Sequence, residues 1–470
     1  MMQLKESPGL VRSLGLFATF MLTVSSVIGS GVYKKVAPMS VELGAPWLVI
    51  AAWVTAGLIT LFGALSNAEV ASMMAEAGGE YVYFKKIYNR FFAFLFGWSC
   101  FTVVRSAAVA SIAYVFAQSF DNLVPLPQLP EAIASINLFG VFTPFENFGV
   151  KALTIVLIFG LTIYNIYGVK GGEGLSRYVL MAVIGSMVLV IILGLTIGGG
   201  SVQNLNTNVH DYQPSGFFSG AFISHFFMAM LAAFWAFEGW SSIGYLGAEI
   251  KDANRNLPLA LVMGVVFIII IYVSINFTYL YVLPIDQITE AHQSQNTIAA
   301  VAVVKSFLGN GGAVFMSLLI LFTTFGSTNS TVLPPPRLYY AMSRDGLFFK
   351  MAAYIHPKYH TPSKALILQA FWSGLLVLSG SFDQLTDMLV FASFIFYGAT
   401  TLGVFVLRIK MPDAPRPYKA WGYPVIPALF IIFCIVLIVI TFTTKPREAF
   451  LGAGLMLTGL PFWFYWNKER

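Results

Sequence analysis

Charged residues are scarce in this chain. Only 10% of its 470 residues are Asp, Glu, Lys or Arg, whereas 57% are hydrophobic. Soluble domains carry about 25% charged residues, so this composition excludes an ordinary soluble domain. It predicts an all-α membrane protein, organised as a single polytopic membrane domain over residues 1–470.

Cysteine and histidine are also rare. The two cysteines, Cys100 and Cys434, lie in apolar stretches and give no disulfide framework. The five histidines are scattered, and no HExxH or GxSxG pattern stands where it could work. We therefore expect no enzyme, no metal site and no cofactor. The net charge of +6 does not predict a nucleic-acid partner, because membrane proteins collect Lys and Arg in cytoplasmic loops.

Long apolar stretches are what the chain has in abundance. A helix needs roughly 20 apolar residues to cross a bilayer, and about twelve segments meet that length. They lie near 14–36, 46–73, 91–118, 150–168, 177–198, 221–248, 258–282, 312–342, 364–380, 386–408, 424–443 and 449–466. The sequence therefore predicts about 12 transmembrane helices embedded in a lipid bilayer.

The loops between these segments alternate in charge. Three of them lack Lys and Arg altogether: 119–149, 199–220 and 283–296. The intervening loops carry the basic residues, so the positive-inside rule places both termini in the cytoplasm. We expect the protein in the cell inner (plasma) membrane. Four basic residues do not fit this pattern: Lys34, Lys35, Lys445 and Arg447.

The first segment is interrupted at its centre by Val27-Ile28-Gly29-Ser30-Gly31-Val32. Glycine weakens a helix and lets other groups approach the backbone. Irregular backbone at membrane depth survives only where protein or a wet cavity satisfies it. A break here would free N–H groups at a positive helix end, which suits a carboxylate. The alternative is that the small residues form a close helix–helix contact.

The sixth segment is interrupted by Trp235-Ala236-Phe237-Glu238-Gly239-Trp240. A carboxylate at the bilayer centre is costly and should face the bundle interior or a cavity. Glu238 followed by glycine indicates a helix that stops and restarts. Three roles stay open for Glu238: capping the restarted helix, coupling to a proton, or contact with a ligand amine.

The two interruptions are five crossings apart, which is the sequence pattern of a transporter site at the bilayer midplane. We expect a 5+5 inverted repeat with discontinuous helices 1 and 6, so that both breaks meet. The first repeat would span 1–200, the second 201–410, and two extra C-terminal helices 411–470. Freed N–H groups and freed carbonyls match the two poles of an amino acid zwitterion.

Several short motifs appear in order on these segments. They are Ile28-Gly29-Ser30-Gly31-Val32, Gly78-Gly79-Glu80-Tyr81, Phe234 to Trp240, Glu249-Ile250-Lys251 to Asn256-Leu257-Pro258, Phe325-Gly326-Ser327-Thr328-Asn329, and Arg337 to Gly346. In this set the chain resembles the amino acid–polyamine–organocation (APC) superfamily, and within it the L-type amino acid transporter (LAT) family. The resemblance covers nearly the whole chain and implies a leucine-transporter-type fold that works by alternating access.

The resemblance also implies roles for individual residues. Ser30, Gly31 and Val32 would donate N–H groups to a substrate carboxylate. The carbonyls of Val27, Trp235, Ala236 and Glu238 would accept its ammonium, and Ile28, Gly29, Phe237 and Gly239 complete the two breaks. Trp235 would close over the substrate from outside, although ordinary core or lipid-facing packing is its alternative. Trp240 is assigned to structure or gating.

The chain departs from the family in the fifth segment. Many members carry a lysine there, whose ammonium replaces a sodium ion, but this chain has Val183 at that position. A sodium ion could instead lie between carbonyls of the first break and the hydroxyls of Ser327 and Thr328. Coupling to Na⁺ or H⁺ therefore stays open beside exchange.

Two further departures concern the third segment and the loop that follows it. Arg105 resembles the family's arginine before a Pro-Ala pair, but Ser106 replaces the proline. We assign Arg105 to a structural tie between helices, with direct substrate contact as the alternative. Family members in animals pair with a glycoprotein through a cysteine of the loop at 119–149. That loop has no cysteine here, so we expect no disulfide-linked heavy chain.

The sequence thus predicts a secondary transporter of amino acids, acting on neutral L-amino acids by exchange or by proton or sodium symport. A transporter of polyamines or cationic amino acids with the same fold is an alternative, because Glu238 lies near the amine pole. A polytopic membrane enzyme would need a nucleophile–base pair or a metal cluster. A channel would need a repeated filter or a ring of like charges, and neither pattern is present.

Overall fold

The computed structural model describes residues 14–74, 79–138, 142–167, 172–209, 216, 219–293 and 298–468. The regular structure of these residues is helical, and no strand occurs among them. Gly78, the first residue of one of the motifs, lies outside the described residues. The α-helices, in chain order, are α1 Leu16–Val27, α2 Gly31–Lys34, α3 Val36–Leu43, α4 Pro46–Met73, α5 Glu80–Ile87, α6 Arg90–Ser99, α7 Arg105–Asp121, α8 Glu131–Ala134, α9 Phe148–Ile166, α10 Gly172–Thr196, α11 Val202–Asn206, α12 Gly220–Phe237, α13 Ala253–Val282, α14 Ile285–Gln293, α15 Ala299–Val332, α16 Pro335–Arg344, α17 Ser363–Ser379, α18 Phe382–Lys410, α19 Val425–Thr444, α20 Pro446–Leu457 and α21 Gly459–Lys468.

The described helices account for the predicted crossings. Nine helical stretches of the described chain are long and apolar enough to span a bilayer, and three shorter apolar helices supply the first, fifth and ninth segments. The eighth segment differs from the prediction, because its helix begins at Ala299 and not near 312. Gly309 interrupts that helix with a φ of 61° and a ψ of −153°. The all-α membrane fold is confirmed.

The third crossing forms the centre of the bundle. It runs through α6, a π-helical turn at Cys100–Val104, and α7. In the most apolar 18-residue stretch of this crossing 94% is buried, whereas in the corresponding stretch of each of the last two crossings 28% is buried. Alanine and serine dominate the buried face of α7, and such small residues let helices approach closely. The two C-terminal crossings therefore lie at the periphery, where they expose apolar side chains.

The first segment is discontinuous, as predicted, but it extends further than the sequence indicates. Helical structure continues past Val36 to Leu43. Lys34 and Lys35, which do not fit the alternating charge of the loops, are both buried in the structure. The Lys34 ammonium donates to Gln118 at 2.6 Å, and the Lys35 ammonium donates to Asp383 at 2.6 Å. These partners let two basic residues remain inside the helical bundle.

A buried ion pair joins the second and tenth crossings. The Arg408 guanidinium donates two hydrogen bonds to the Glu69 carboxylate, at 3.0 and 2.7 Å. The backbone N–H of Ala420 donates a further bond to Glu69 at 2.7 Å. Glu69 is 1% exposed, so these bonds satisfy a carboxylate that water does not reach. This pair fixes α4 against α18, and both helices pack against α12.

Candidate functional site

The first break lies between α1 and α2. Helix α1 ends at Val27, Ile28 is extended with a φ of −66° and a ψ of 107°, and α2 begins at Gly31. The backbone N–H groups of Ser30, Gly31 and Val32 have no hydrogen-bond acceptor among the described residues. The Ser30 hydroxyl is buried and likewise has no partner in the described chain. These free N–H donors lie at the N-terminus of α2, which is the positive end of the helix dipole.

The second break follows α12. This helix ends at Phe237, Glu238 is extended with a ψ of 146°, and Gly239 has a φ of 104°, in the region that favours glycine. The chain then resumes as a 3₁₀ helix over Trp240–Glu249. The carbonyls of Ala236, Phe237 and Glu238 accept no hydrogen bond from the described part of the chain. They form a group of free acceptors.

The two breaks are in direct contact. A Cβ atom built on Gly31 would lie 2.5 Å from the Cα atom of Ala236, and one built on Gly239 would collide with the Ser26 carbonyl oxygen. The Ser26 hydroxyl donates to the Gly239 carbonyl at 3.1 Å. The prediction that both interruptions meet at one point is therefore confirmed. Glycine is required at both positions because the opposing backbone leaves no room for a side chain.

Side chains from two other crossings hold the first break in place. The Tyr272 hydroxyl donates to the Val27 carbonyl at 3.2 Å, and the Ser327 hydroxyl donates to the Ile28 carbonyl at 3.2 Å. Ser327 also lies 3.9 Å from a Cβ position on Gly29. Thr328 is buried, but its hydroxyl donates within its own helix, to the Thr324 carbonyl at 2.6 Å. The structure thus brings Ser327 to the break, while Thr328 is bonded elsewhere.

Trp235 and Phe237 point into the protein. Trp235 is 5% exposed, which excludes the alternative of a lipid-facing side chain. Its ring meets the Phe382 ring edge-on at a centroid distance of 6.0 Å. Phe237 packs against Trp53 and Tyr272 at 5.9 and 5.3 Å. The aromatic rings around the second break are therefore contributed by four crossings.

Glu238 is linked to the third and tenth crossings. The Tyr397 hydroxyl donates to the Glu238 carboxylate at 2.7 Å, and the Tyr397 ring lies 4.9 Å from the Trp240 ring. The Arg105 charge also acts on Glu238. Arg105 begins α7, directly after the π-helical turn, and its guanidinium lies 3.4 Å from the Ser242 hydroxyl. This contact favours the structural tie assigned to Arg105, because it joins the third crossing to the sixth.

Sequence reasoning missed three residues at these breaks. Tyr272, Phe382 and Tyr397 contact Val27, Trp235 and Glu238 respectively. A signal existed for the two tyrosines, since each places a hydroxyl within a long apolar helix. No signal marked Phe382, because aromatic residues are common throughout the chain.

Comparison with known proteins decides the family. The model of the amino acid permease family matches residues 14–465. The chain belongs to this family. The permease therefore has amino acid transport as its class of function, and its resemblance to the APC superfamily and to L-type transporters is confirmed.

Relatives of the permease match it along nearly its full length. The serine/threonine exchanger SteT of Bacillus subtilis is 27% identical over 468 residues, covering 99% of both chains. The b(0,+)-type amino acid transporter 1 of Homo sapiens is 29% identical over 466 residues, covering 98% of this chain and 88% of its own. The large neutral amino acids transporter small subunit 2 of Homo sapiens is 28% identical over 475 residues, covering 99% and 82%.

Proposed function

We propose that the permease carries neutral L-amino acids by alternating access and recognises them through its backbone. The observation that supports this most directly is the contact between the two breaks. One break offers the free N–H groups of Ser30, Gly31 and Val32, and the other offers free carbonyls at Ala236 and Glu238. Such groups complement the carboxylate and the ammonium of a zwitterion and require no charged side chain.

The remaining residues of the proposed site complete the two breaks. Val27, Ile28 and Gly29 form the turn of the first break, and the Val27 carbonyl is a second acceptor for the ammonium. Phe237 and Gly239 shape the second break. Trp235 would cover the substrate from the outer side, supported by its contact with Phe382. Trp240 and Arg105 would transmit movement of the second break to the tenth and third crossings.

The names of the relatives support neutral substrates and exchange. SteT is named for exchange of serine and threonine. The second of the two human relatives is named for large neutral amino acids. The alternative substrates are cationic amino acids or polyamines, which Glu238 would attract. A membrane enzyme is less consistent with the comparisons, because the relatives that match the full chain are transporters. We therefore propose that the permease has no enzymatic activity.

We also propose where and how the permease is inserted. The basic loops place both termini in the cytoplasm of a cell whose inner, or plasma, membrane holds the protein. The loop at 119–149 has no cysteine, which supports a carrier that works without a disulfide-linked heavy chain. Single cysteines introduced at Ser135 and at Lys358 test the orientation. We expect an impermeant maleimide added to whole cells to label only the first, and the reverse pattern would contradict it.

Uptake by proteoliposomes tests the substrate class. We expect labelled alanine and leucine to enter vesicles that are preloaded with unlabelled amino acid, and arginine and putrescine to remain outside. Empty liposomes provide the background. Uptake restricted to arginine or putrescine would reject neutral substrates, and absence of flux for all four would reject the proposal.

Sodium coupling is tested at Ser327. If a sodium ion lies between the first-break carbonyls and the Ser327 and Thr328 hydroxyls, replacing external sodium by choline should abolish uptake. We expect uptake to persist, because both hydroxyls already donate to carbonyls and only Ser327 reaches the break. The Ser327→Ala variant should then lose less than about tenfold in rate, since one neutral hydrogen bond contributes about 1 kcal/mol. If wild-type uptake strictly required sodium and the Ser327→Ala variant lost that requirement, the sodium site would be established instead.

A further inference from the structure

A cavity of about 240 Å³ lies where three crossings meet, between the end of α9, the start of α16 and the loop that leads into α17. Its volume exceeds the roughly 10–15 Å³ that holds one water molecule. It is smaller than the sites of about 300–1,000 Å³ that enclose drug-sized ligands. The described residues that line it include none of those proposed to hold the zwitterion. This is therefore a separate space, sized for a small polar group.

Arg337 supplies the positive charge at this cavity. Its guanidinium donates one hydrogen bond, to the Leu333 carbonyl at 2.7 Å, and its other N–H groups make no hydrogen bond within the described chain. The Glu249 charge acts on Arg337, but the two side chains form no ion pair. Free guanidinium N–H groups match the oxygens of a phosphate, which they can bind in pairs. The cavity thus contains a ready donor for an anion.

The loop before α17 places His360 at the same cavity. His360 has a φ of 55°, a backbone conformation that few residues other than glycine adopt. Its N–H donates to the His356 carbonyl at 2.9 Å, and the Thr361 hydroxyl donates to the Ile166 carbonyl at 2.8 Å. Strained positions of this kind persist where neighbouring contacts hold them, and they concentrate at ligand sites. The loop is therefore fastened to α9 in a shape that presents His360 opposite Arg337.

The surroundings of the cavity are basic. Residues 337–364 contain one acidic residue, Asp345, whose carboxylate is already bonded to Lys85 and to the Tyr81 hydroxyl, each at 2.9 Å. The same stretch contains five basic residues: Arg337, Arg344, Lys350, Lys358 and Lys364. Basic pockets between membrane helices attract the headgroups of anionic lipids. The charge of this region thus favours an anionic occupant.

Aromatic residues place this region at the depth of the lipid headgroups. The Lys364 ammonium lies over the Tyr354 ring at 4.4 Å, and the Lys358 ammonium lies over the Tyr359 ring at 5.3 Å. Tyrosines and basic residues together are typical of the boundary between bilayer and water. A ligand at this depth can come directly from the membrane.

Apolar side chains extend from the cavity along the outside of the bundle. Leu333 and Ile355 line the cavity and are exposed. The adjoining helices α9 and α17 expose Ile163, Ile367 and Phe371. Such a surface suits acyl chains, which a soluble phosphate ester lacks. The combination of a basic cavity and an apolar flank therefore favours a phospholipid.

We propose that this cavity binds the phosphate headgroup of an anionic phospholipid from the leaflet next to the basic loops. Arg337 binds the phosphate oxygens, His360 and the Tyr340 hydroxyl contribute further donors, and the acyl chains lie against α9 and α17. The bound lipid joins the ends of three crossings, which stabilises their packing. This site is additional to the proposed amino acid site.

Native mass spectrometry of the purified, full-length permease tests the proposal. The probes are dioleoyl phosphatidylglycerol, which is anionic, and dioleoyl phosphatidylcholine, which is zwitterionic. We expect the wild type to retain phosphatidylglycerol in preference to phosphatidylcholine. Arg337→Gln should weaken phosphatidylglycerol binding by about tenfold, because hydrogen bonds from a guanidinium to a phosphate are charge-assisted.

Two further variants separate the site from general effects of charge and folding. Arg255→Gln is the matched control, since Arg255 is exposed in another basic loop and its loss should leave lipid binding unchanged. His360→Gly removes a ring at a position whose φ suits glycine. We expect it to bind phosphatidylglycerol more weakly while its unfolding temperature without lipid is not lowered.

Thermal unfolding in detergent distinguishes a lipid from a free phosphate ester. Phosphatidylglycerol should raise the unfolding temperature of the wild type more than sn-glycerol 3-phosphate at the same concentration. Equal stabilisation by the two would overturn the lipid as occupant. Equal retention of both lipids, or wild-type binding of phosphatidylglycerol by Arg337→Gln and His360→Gly, would overturn the site. Binding is measured without transport, so its absence would leave the proposed function untouched.

Discussion

Gly31→Ala is expected to abolish transport while the protein still inserts and folds. The added Cβ atom would lie 2.5 Å from the Ala236 Cα atom and 3.0 Å from its nitrogen. Backbone cannot move aside as a flexible side chain does, so the two breaks must separate. Overpacking of this kind costs about 1–3 kcal/mol, and here the strain falls on the groups proposed to hold both poles of the substrate.

Initial uptake of labelled alanine and its binding affinity measure this effect. We expect uptake to fall by at least about tenfold, which is the consequence of about 1.4 kcal/mol. Gly160→Ala serves as the control, because a Cβ there meets nothing within 4 Å. Gly29→Ala should be milder than Gly31→Ala, since its nearest neighbours would be 3.8 Å away. Wild-type uptake by Gly31→Ala would show that the contact between the breaks is not needed.

Lys35→Met is expected to destabilise the protein measurably. The Lys35 ammonium is 1% exposed and lies 2.6 Å from Asp383 and 2.7 Å from the Thr386 hydroxyl. The Asp383 carboxylate that remains is 33% exposed and still has Lys34 nearby, so we expect a cost below the about 3–5 kcal/mol of a fully buried pair. This pair joins the second half of the first segment to the start of α18, where Phe382 contacts Trp235. We therefore expect loss of uptake together with a lower unfolding temperature in detergent.

The double variant Lys35→Met/Asp383→Leu separates charge from packing. It should regain most of the unfolding temperature, because apolar replacements of a buried pair are often tolerated. Lys85→Met provides the exposed counterpart, since the Lys85 and Asp345 side chains are 47% and 35% exposed. Surface pairs contribute about 0–1 kcal/mol. An equal fall in unfolding temperature in Lys35→Met and Lys85→Met would show that burial of the pair does not determine its contribution.

The breaks could be predicted from sequence because their signal is local. Two glycines and a serine, or a glutamate followed by glycine, stand out within a long apolar segment whatever surrounds them. A buried segment that loses helical hydrogen bonds must have a compensating reason, so the interruptions pointed directly to a site. The same local signals explain why the predicted bounds of most crossings lie close to those in the structure.

The burial of Lys34 and Lys35 could not be predicted in this way. In the sequence, Lys34 and Lys35 stand out only as basic residues that do not fit the alternating charge of the loops. Their burial depends on Gln118 and Asp383, which lie 84 and 348 residues away in the chain. Partners so distant in sequence leave no local periodicity or spacing.

The sequence by itself determined the number of crossings, the positions of both interruptions and the class of protein. Hydrophobic length and the cost of unsatisfied backbone in a bilayer are properties of each segment alone. The tertiary structure decided how close the breaks lie, which crossings hold them, and which buried charges have partners. Those features depend on packing between segments hundreds of residues apart, where a few ångströms determine whether a glycine, a hydroxyl or a carboxylate is satisfied.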